Sequence, residues 1–151
     1  MQGTVLRPSD AVAILGNIDP DAYSASTVTT GWVSAKGFDA FMAIIQAGDL
    51  GASATVDAKI EQATDGSGTG AKDVSGKAIT QLTKAGADDN KQAIINLRSE
   101  ELDVSNGFNF IRLSMTVATA ACDAGAVLLG LTPRYGPASD NDVATVDEIV
   151  A

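Results

Sequence analysis

The chain has 151 residues, 45% of them hydrophobic but only 5% aromatic, and its ten Lys plus Arg against nineteen Asp plus Glu leave a formal charge of −9. That length suits one domain around a single core, and that charge argues against nucleic acid as a partner, because phosphate repulsion would have to be overcome. Histidine is absent, which removes the usual general base, the Ser-His-Asp and Cys-His pairings and the commonest zinc ligand, so the chain reads as a non-enzyme without metal or cofactor.

The core must be built from Ala, Val, Ile and Leu, and small branched side chains suit sheets packed on sheets. The expected class is therefore all-β, an antiparallel β-sandwich. All four prolines, Pro8, Pro20, Pro133 and Pro137, lie outside the middle of the chain. Proline removes a ladder donor, so we read one domain with an irregular N-terminal arm (1–27), a sheet core (28–134) and an irregular C-terminal arm (135–151). Val12–Gly16 is too short an apolar run for a signal peptide, and no run of ~18 apolar residues is present, so neither secretion nor a membrane span is expected. The lone Cys122 reads as a small buried residue near a turn.

In the N-terminal arm, Ser9 is placed to cap a short helical turn over Asp10–Leu15, Asp19-Pro20-Asp21 signals a turn, and Tyr23 is a candidate anchor. Thr27–Ser34 is rich in β-branched residues and reads as a strand. Phe38–Gln46 fits either two helical turns or a buried strand, with strand favoured because Gly37 and Gly48 bracket a run of strand length. Ala54–Ala63 alternates cleanly, Val56, Ala58 and Ile60 inward against Asp57, Lys59 and Glu61 outward. Thr64–Ala71 is a glycine-rich loop, and Val74–Thr83 and Gln92–Arg98 are further strands. Ser99–Gly107 carries Glu100, Glu101 and Asp103, which Arg98 and Arg112 are placed to meet, and ends in the hairpin signal Asn106-Gly107.

Phe108–Leu131 is the strongest core signal. Ile111, Leu113, Met115 and Val117 alternate with polar or small residues, and the nearly continuous apolar run Ala126–Leu131 implies a strand covered on both faces; together they read as two strands at the centre of a sheet. The tail that follows mixes Asp140, Asp142, Asp147 and Glu148 with Val143, Val146, Ile149 and Val150, so it is expected to pack on its own sandwich or on a neighbouring subunit.

Other chemistry has bland explanations. Gly66-Ser67-Gly68-Thr69-Gly70 before Lys72 lacks the phosphate-loop spacing and leads into a strand. Asp88-Asp89-Asn90 and Asp140-Asn141-Asp142 offer oxygen ligands for calcium, but neither has EF-hand spacing and turns account for both. Trp32 and the two tyrosines are too scattered for a sugar-stacking platform and read as anchors.

Several segments, however, are familiar as a set. Ile45-Gln46, Gln62-Ala63-Thr64-Asp65, Phe108–Arg112 and Arg134-Tyr135 occupy the positions of an Ile-Gln strand, a Gln-(Ala/Ser)-Thr-Asp strand end, a (Phe/Tyr)-x-x-(Val/Ile)-Arg strand and a closing Arg-Tyr. Over Thr27–Asp142 the chain resembles small virion structural proteins of tailed bacteriophages and prophages, similar to head decoration or cement proteins. The resemblance implies a jelly-roll-like sandwich on the outer capsid surface, made in the bacterial cytoplasm, with the major capsid protein and further copies of itself, a trimer, as partners. It assigns capsid or subunit contact to Tyr23, Arg134, Tyr135, Val143, Val146 and Ile149. The alternative is a tail or fibre component with a host-receptor or carbohydrate-binding role.

Overall fold

The computed structural model describes residues 7–150; the first six residues of the expected N-terminal arm and the last of the C-terminal arm lie outside the described residues. After a short helix, α1 (Pro8–Ala11), come β1 (Val12–Tyr23), β2 (Ser26–Thr29), β3 (Val33–Ser34), β4 (Phe38–Leu50), β5 (Thr55–Ala63), β6 (Lys72–Ala78), β7 (Leu82–Thr83), β8 (Gln92–Arg98), β9 (Phe110–Ala118) and β10 (Cys122–Pro133). All pairings are antiparallel. One sheet has the order β1-β10-β4-β8, the other β2-β9-β5-β6 with β3 added on β9 and β7 on β5. Successive long strands mostly switch sheet, so each sheet is assembled from distant parts of the chain. With β2 and β3, and likewise β6 and β7, taken as one interrupted strand each, this is the eight-strand, double Greek-key order of a jelly roll, and the all-β sandwich expected from composition is the observed fold.

The two inner faces share one core. Phe41, Ala43, Ile45 and Ala47 of β4 and Leu128 of β10 oppose Val56, Ala58 and Ile60 of β5 and Ile111, Leu113, Met115 and Val117 of β9, all of them buried. The ambiguous Phe38–Gln46 is thus a strand, extended to Leu50, because its inward residues repeat every second position once a facing sheet is present. Small residues set the spacing where strands and rings crowd: a Cβ on Gly130 would stand 2.8 Å from Leu15 Cδ1 and 2.9 Å from the Phe38 ring. Phe38 in turn meets Phe41 edge-on, with ring centroids 6.1 Å apart.

Several expectations are corrected. The N-terminal segment is not an irregular arm with a helix over 10–15, because β1 occupies 12–23 and pairs with β10; α1 holds only four residues, Ser9 lies inside it, and Asp10 closes it by accepting Arg7 N–H at 3.1 Å. An isolated turn of helix is marginal, and sheet pairing along Val12, Ala13 and Ile14 outweighs it. Pro20 survives in β1 because the strand is an edge and its register shifts between Ile18 and Asp21. β9 and β10 do not share a sheet; each is central in a different one. Thr27–Ser34 splits into β2 and β3, and Val74–Thr83 into β6 and β7. Asn106-Gly107 ends a 3-10 turn, with Gly107 at φ 82°, on a crossing between sheets rather than a hairpin. Arg98 does reach Glu100 at 3.3 Å, but Arg112 pairs with Glu61 across the β5–β9 register.

Candidate functional site

Two of the segments behind the phage resemblance, 62–65 and 108–112, meet in one structural unit outside the second sheet, whereas Ile45-Gln46 lies on β4 of the first sheet and Arg134-Tyr135 follows β10. Arg112 Nε donates to Glu61 Oε2 at 2.6 Å, and its guanidinium lies 4.5 Å from the centroid of the Trp32 ring. The glycine-rich loop folds down onto these aromatics: a Cβ on Gly66 would stand 3.5 Å from Phe110, and one on Gly70 3.7 Å from Phe108. Asp65 holds the loop's shape by accepting Ser67 N–H at 2.9 Å and Thr69 N–H at 3.1 Å. At the loop's far end Lys72 sits 4.0 Å over Phe108 and 2.5 Å from Asp103, whose N–H donates to the buried Gln62 Oε1 at 2.8 Å. These motif residues therefore lock a loop to a sheet, and Trp32, partly covered by Arg112 and Gly68, is no open stacking platform.

Gly68 is the tightest point of that lock, with φ 84° and no room for a Cβ, which would lie 2.5 Å from Trp32 Nε1. Gly68→Ala is expected to cost about 1–2 kcal/mol from the left-handed backbone alone and to lift the loop. A red shift in the emission of Trp32, the only tryptophan, together with a lower melting temperature would report it.

The six residues assigned to contacts fall in two places. Tyr23 ends β1, half-buried, its Oη donating to Asp19 C=O at 2.6 Å; partial burial, then the charges of Asp19 and Asp21, push its phenol pKa up. The other five gather toward the opposite end of the sandwich. Arg134 donates to Asp39 Oδ1 at 2.7 Å and to Ser99 Oγ at 3.2 Å, and Tyr135 beside it is 79% exposed. Val143 N–H donates to Ile14 C=O at 2.8 Å, while Val146 and Ile149 line a shallow hollow in the tail with Asp142 and Glu148. The tail does pack on its own sandwich: Ala138 is fully buried, and Asp142 Oδ1 accepts Ile14 N–H at 2.7 Å.

Two surface features escaped the sequence reading. The outer face of the first sheet is apolar and only partly covered, with Val127, Leu129 and Leu131 of β10 beside Met42 and Ile44 of β4, all of intermediate burial; the continuous apolar run of β10 reflects this face rather than a second packed sheet. Next to it an open groove of about 500 Å³ runs over Ala124 and Gly125 between Pro20 and Gln46, with Asp21, Asn90 and Asp123 along it. The bulged, proline-bearing part of β1 leaves that gap, and only the β1–β10 register exposes it.

The acids of the turn at 88–90 are engaged within the fold. Asp88 accepts Thr83 N–H at 2.9 Å and pairs with Lys91 at 2.8 Å, and Asp89 accepts Leu50 N–H at 2.8 Å and pairs with Lys84 at 3.0 Å. Among the described residues no cluster of three or more acids or sulfur ligands is grouped for a metal ion. Burial, and secondarily Asp123, raises the pKa of the Cys122 thiol and so lowers its reactivity.

Five carboxylates are held below their ordinary pKa: Asp65 by Thr69, Asp88 by Lys91, Asp89 by Leu50 N–H, Glu101 by Arg98 N–H and Asp103 by Lys72. A depressed folded-state pKa contributes stability above the unfolded value, lost as pH falls through the carboxylate range. The melting temperature is therefore expected to fall between neutral pH and about pH 3, and only modestly, because all five groups reach solvent, which screens them. Thermal unfolding followed across that range checks the sign.

No protein-family model matches the chain, and no curated protein matches it in sequence. Similar solved structures include the infectious bursal disease virus Gx strain (TM-score 0.40, 10% identity, 85% of this chain and 33% of that one). Others are tobacco necrosis virus (0.40, 11%, 83% and 95%) and the SPBc2 prophage-derived protein YomS (0.43, 7%, 85% and 100%). The chain thus spans about a third of the bursal disease virus chain it matches. All three TM-scores lie below 0.5, so the fold assignment rests on this chain's own strand order.

Proposed function

We propose that this protein is a virion structural protein of a tailed phage, a head decoration protein that binds the outer capsid surface where coat subunits meet and stabilises the shell by non-covalent contacts. The observation that carries this reading is the agreement between resemblance and fold: the resembling segments fall on β4, β5, β9, β10 and the loop locked by Asp65, and they build the jelly roll that the resemblance implies. Such a protein needs rigidity and contact surface rather than reactive groups, and the described residues concentrate neither nucleophiles nor perturbed bases in a cleft. The partners are the major capsid protein and further copies of the chain. The contact end is the one carrying Arg134, Tyr135, Val143, Val146 and Ile149, with Tyr135 as the exposed aromatic most suited to a partner pocket.

The test is addition of the purified protein to capsids that lack it, followed by cryo-electron microscopy and thermal disruption of the particles. Density at the outer capsid surface with a raised disruption temperature is the expected result. Localisation to the tail, or no binding, would sink the proposal.

A further inference from the structure

Four strand edges bound the two sheets, and three of them are closed. On β1, Ile14 is paired by Asp142 and Val143, and two register shifts distort the rest. Along the edge of β2 and β3 the chain is broken into pieces of four and two residues. β6 is interrupted by Gly76 at φ 73° and carries Lys72 and Lys77, which pair with Asp103 and Glu101. Short strands, bulges and edge charges all prevent the addition of a further strand.

β8 has none of these devices before its last residue, Arg98. It pairs with β4 over seven consecutive residues without a register shift, and from Gln92 to Leu97 it contains no Gly, Pro or charged side chain. Lys91 C=O accepts Ala47 N–H at 2.9 Å, so the antiparallel alternation turns the backbone groups of Ala93, Ile95 and Leu97 toward β4 and those of Gln92, Ile94 and Asn96 outward. The next outward N–H, that of Arg98, is taken by Glu101 Oε2 at 2.8 Å. Among the described residues no strand lies beyond β8 to meet Ile94 and Asn96, and the Ile94 side chain is 57% exposed.

We infer that β8 pairs antiparallel with β8 of a second copy, with Ile94 facing Ile94 across a two-fold axis. In that register Ile94 exchanges backbone hydrogen bonds with its counterpart, and Gln92 does so with the partner's Asn96 on each side, joining two sheets into one. The cross-strand row Asn17, Val127, Ile44 and Ile94 continues through the second Ile94, so the exposed residue becomes covered. The charge of −9 on each chain opposes self-association, and β8 is the edge where that cost is least: the strip from Gln92 to Leu97 has no charged side chain to repel its symmetry mate, and the acids flanking it are already paired, Asp88 with Lys91, Glu100 with Arg98 and Glu101 with Lys77. The contact is self-complementary, as an isologous dimer requires, and it does not depend on the capsid reading. A trimer would need a different surface.

Sedimentation equilibrium on the full chain at micromolar concentration tests this, with Ile94→Lys and Asn96→Pro as variants; proline is tolerated where an edge N–H points outward. The expected result is twice 15.3 kDa for the unaltered chain, half that for both variants with unchanged circular dichroism, and a dimer that persists when residues 144–150 are removed. Amide exchange on the unaltered chain gives a readout that needs no variant, with Ile94 and Asn96 protected in the dimer. A monomer, an oligomer indifferent to both substitutions, a dimer lost with the tail, or unprotected amides at Ile94 and Asn96 would overturn it.

Discussion

Phe41→Ala is expected to destabilise the fold by about 3–5 kcal/mol, the range for removing a fully packed aromatic from a core. Phe41 is 1% exposed, lies in the middle layer of β4 and meets Phe38 edge-on. Its surroundings cannot collapse into the void, because β4 is held on both sides by β10 and β8. Since a domain of this kind has about 5–15 kcal/mol in total, the substitution removes a large share. Chemical denaturation should show the loss as a lower midpoint with an unchanged slope. A cost under about 1 kcal/mol would mean that the β4 layer is far looser than its packing indicates.

Thr30→Val is expected to cost about 1–3 kcal/mol although it removes only a hydroxyl, because it strands a buried donor. Where β2 ends and β3 has not begun, Thr30 N–H donates to Leu113 C=O at 2.9 Å and Thr30 Oγ1 accepts Leu113 N–H at 2.9 Å. The side chain thus stands in for the ladder carbonyl that the break removes, at a site 4% exposed. Thr30→Ser keeps the acceptor and should recover most of the stability. Amide exchange at Leu113 separates the two outcomes: fast exchange in the valine variant only supports this role, and equal exchange in both argues against it.

The strands were legible wherever one face met the core. Period-2 alternation in β5 and β9 placed Val56, Ile60, Ile111 and Met115 inward, and it did so because a one-residue slip would turn a whole apolar set to solvent. β1 was missed for the converse reason: an edge strand with Pro20 and register shifts has a diluted pattern, and its short N-terminal turn signal competed with it locally. The contact candidates were legible only as exposed or semi-apolar residues. That Tyr23 would stand apart from Arg134, Tyr135 and the tail follows from the length of β1, which carries the two groups in opposite directions.

Residue order alone, then, determined the all-β class, the small-residue core, the absence of histidine chemistry and the segments that resemble phage virion proteins, since these depend on side-chain type and local alternation. Tertiary structure decided which strands are neighbours, sending β9 and β10 to different sheets, pairing Arg112 with Glu61, closing β1 with Asp142 and Val143, and leaving β8 open. Those outcomes depend on hydrogen bonds between residues far apart in the chain: the alternation within a strand fixes which of its faces is buried, but not which other strand comes to lie along its edge.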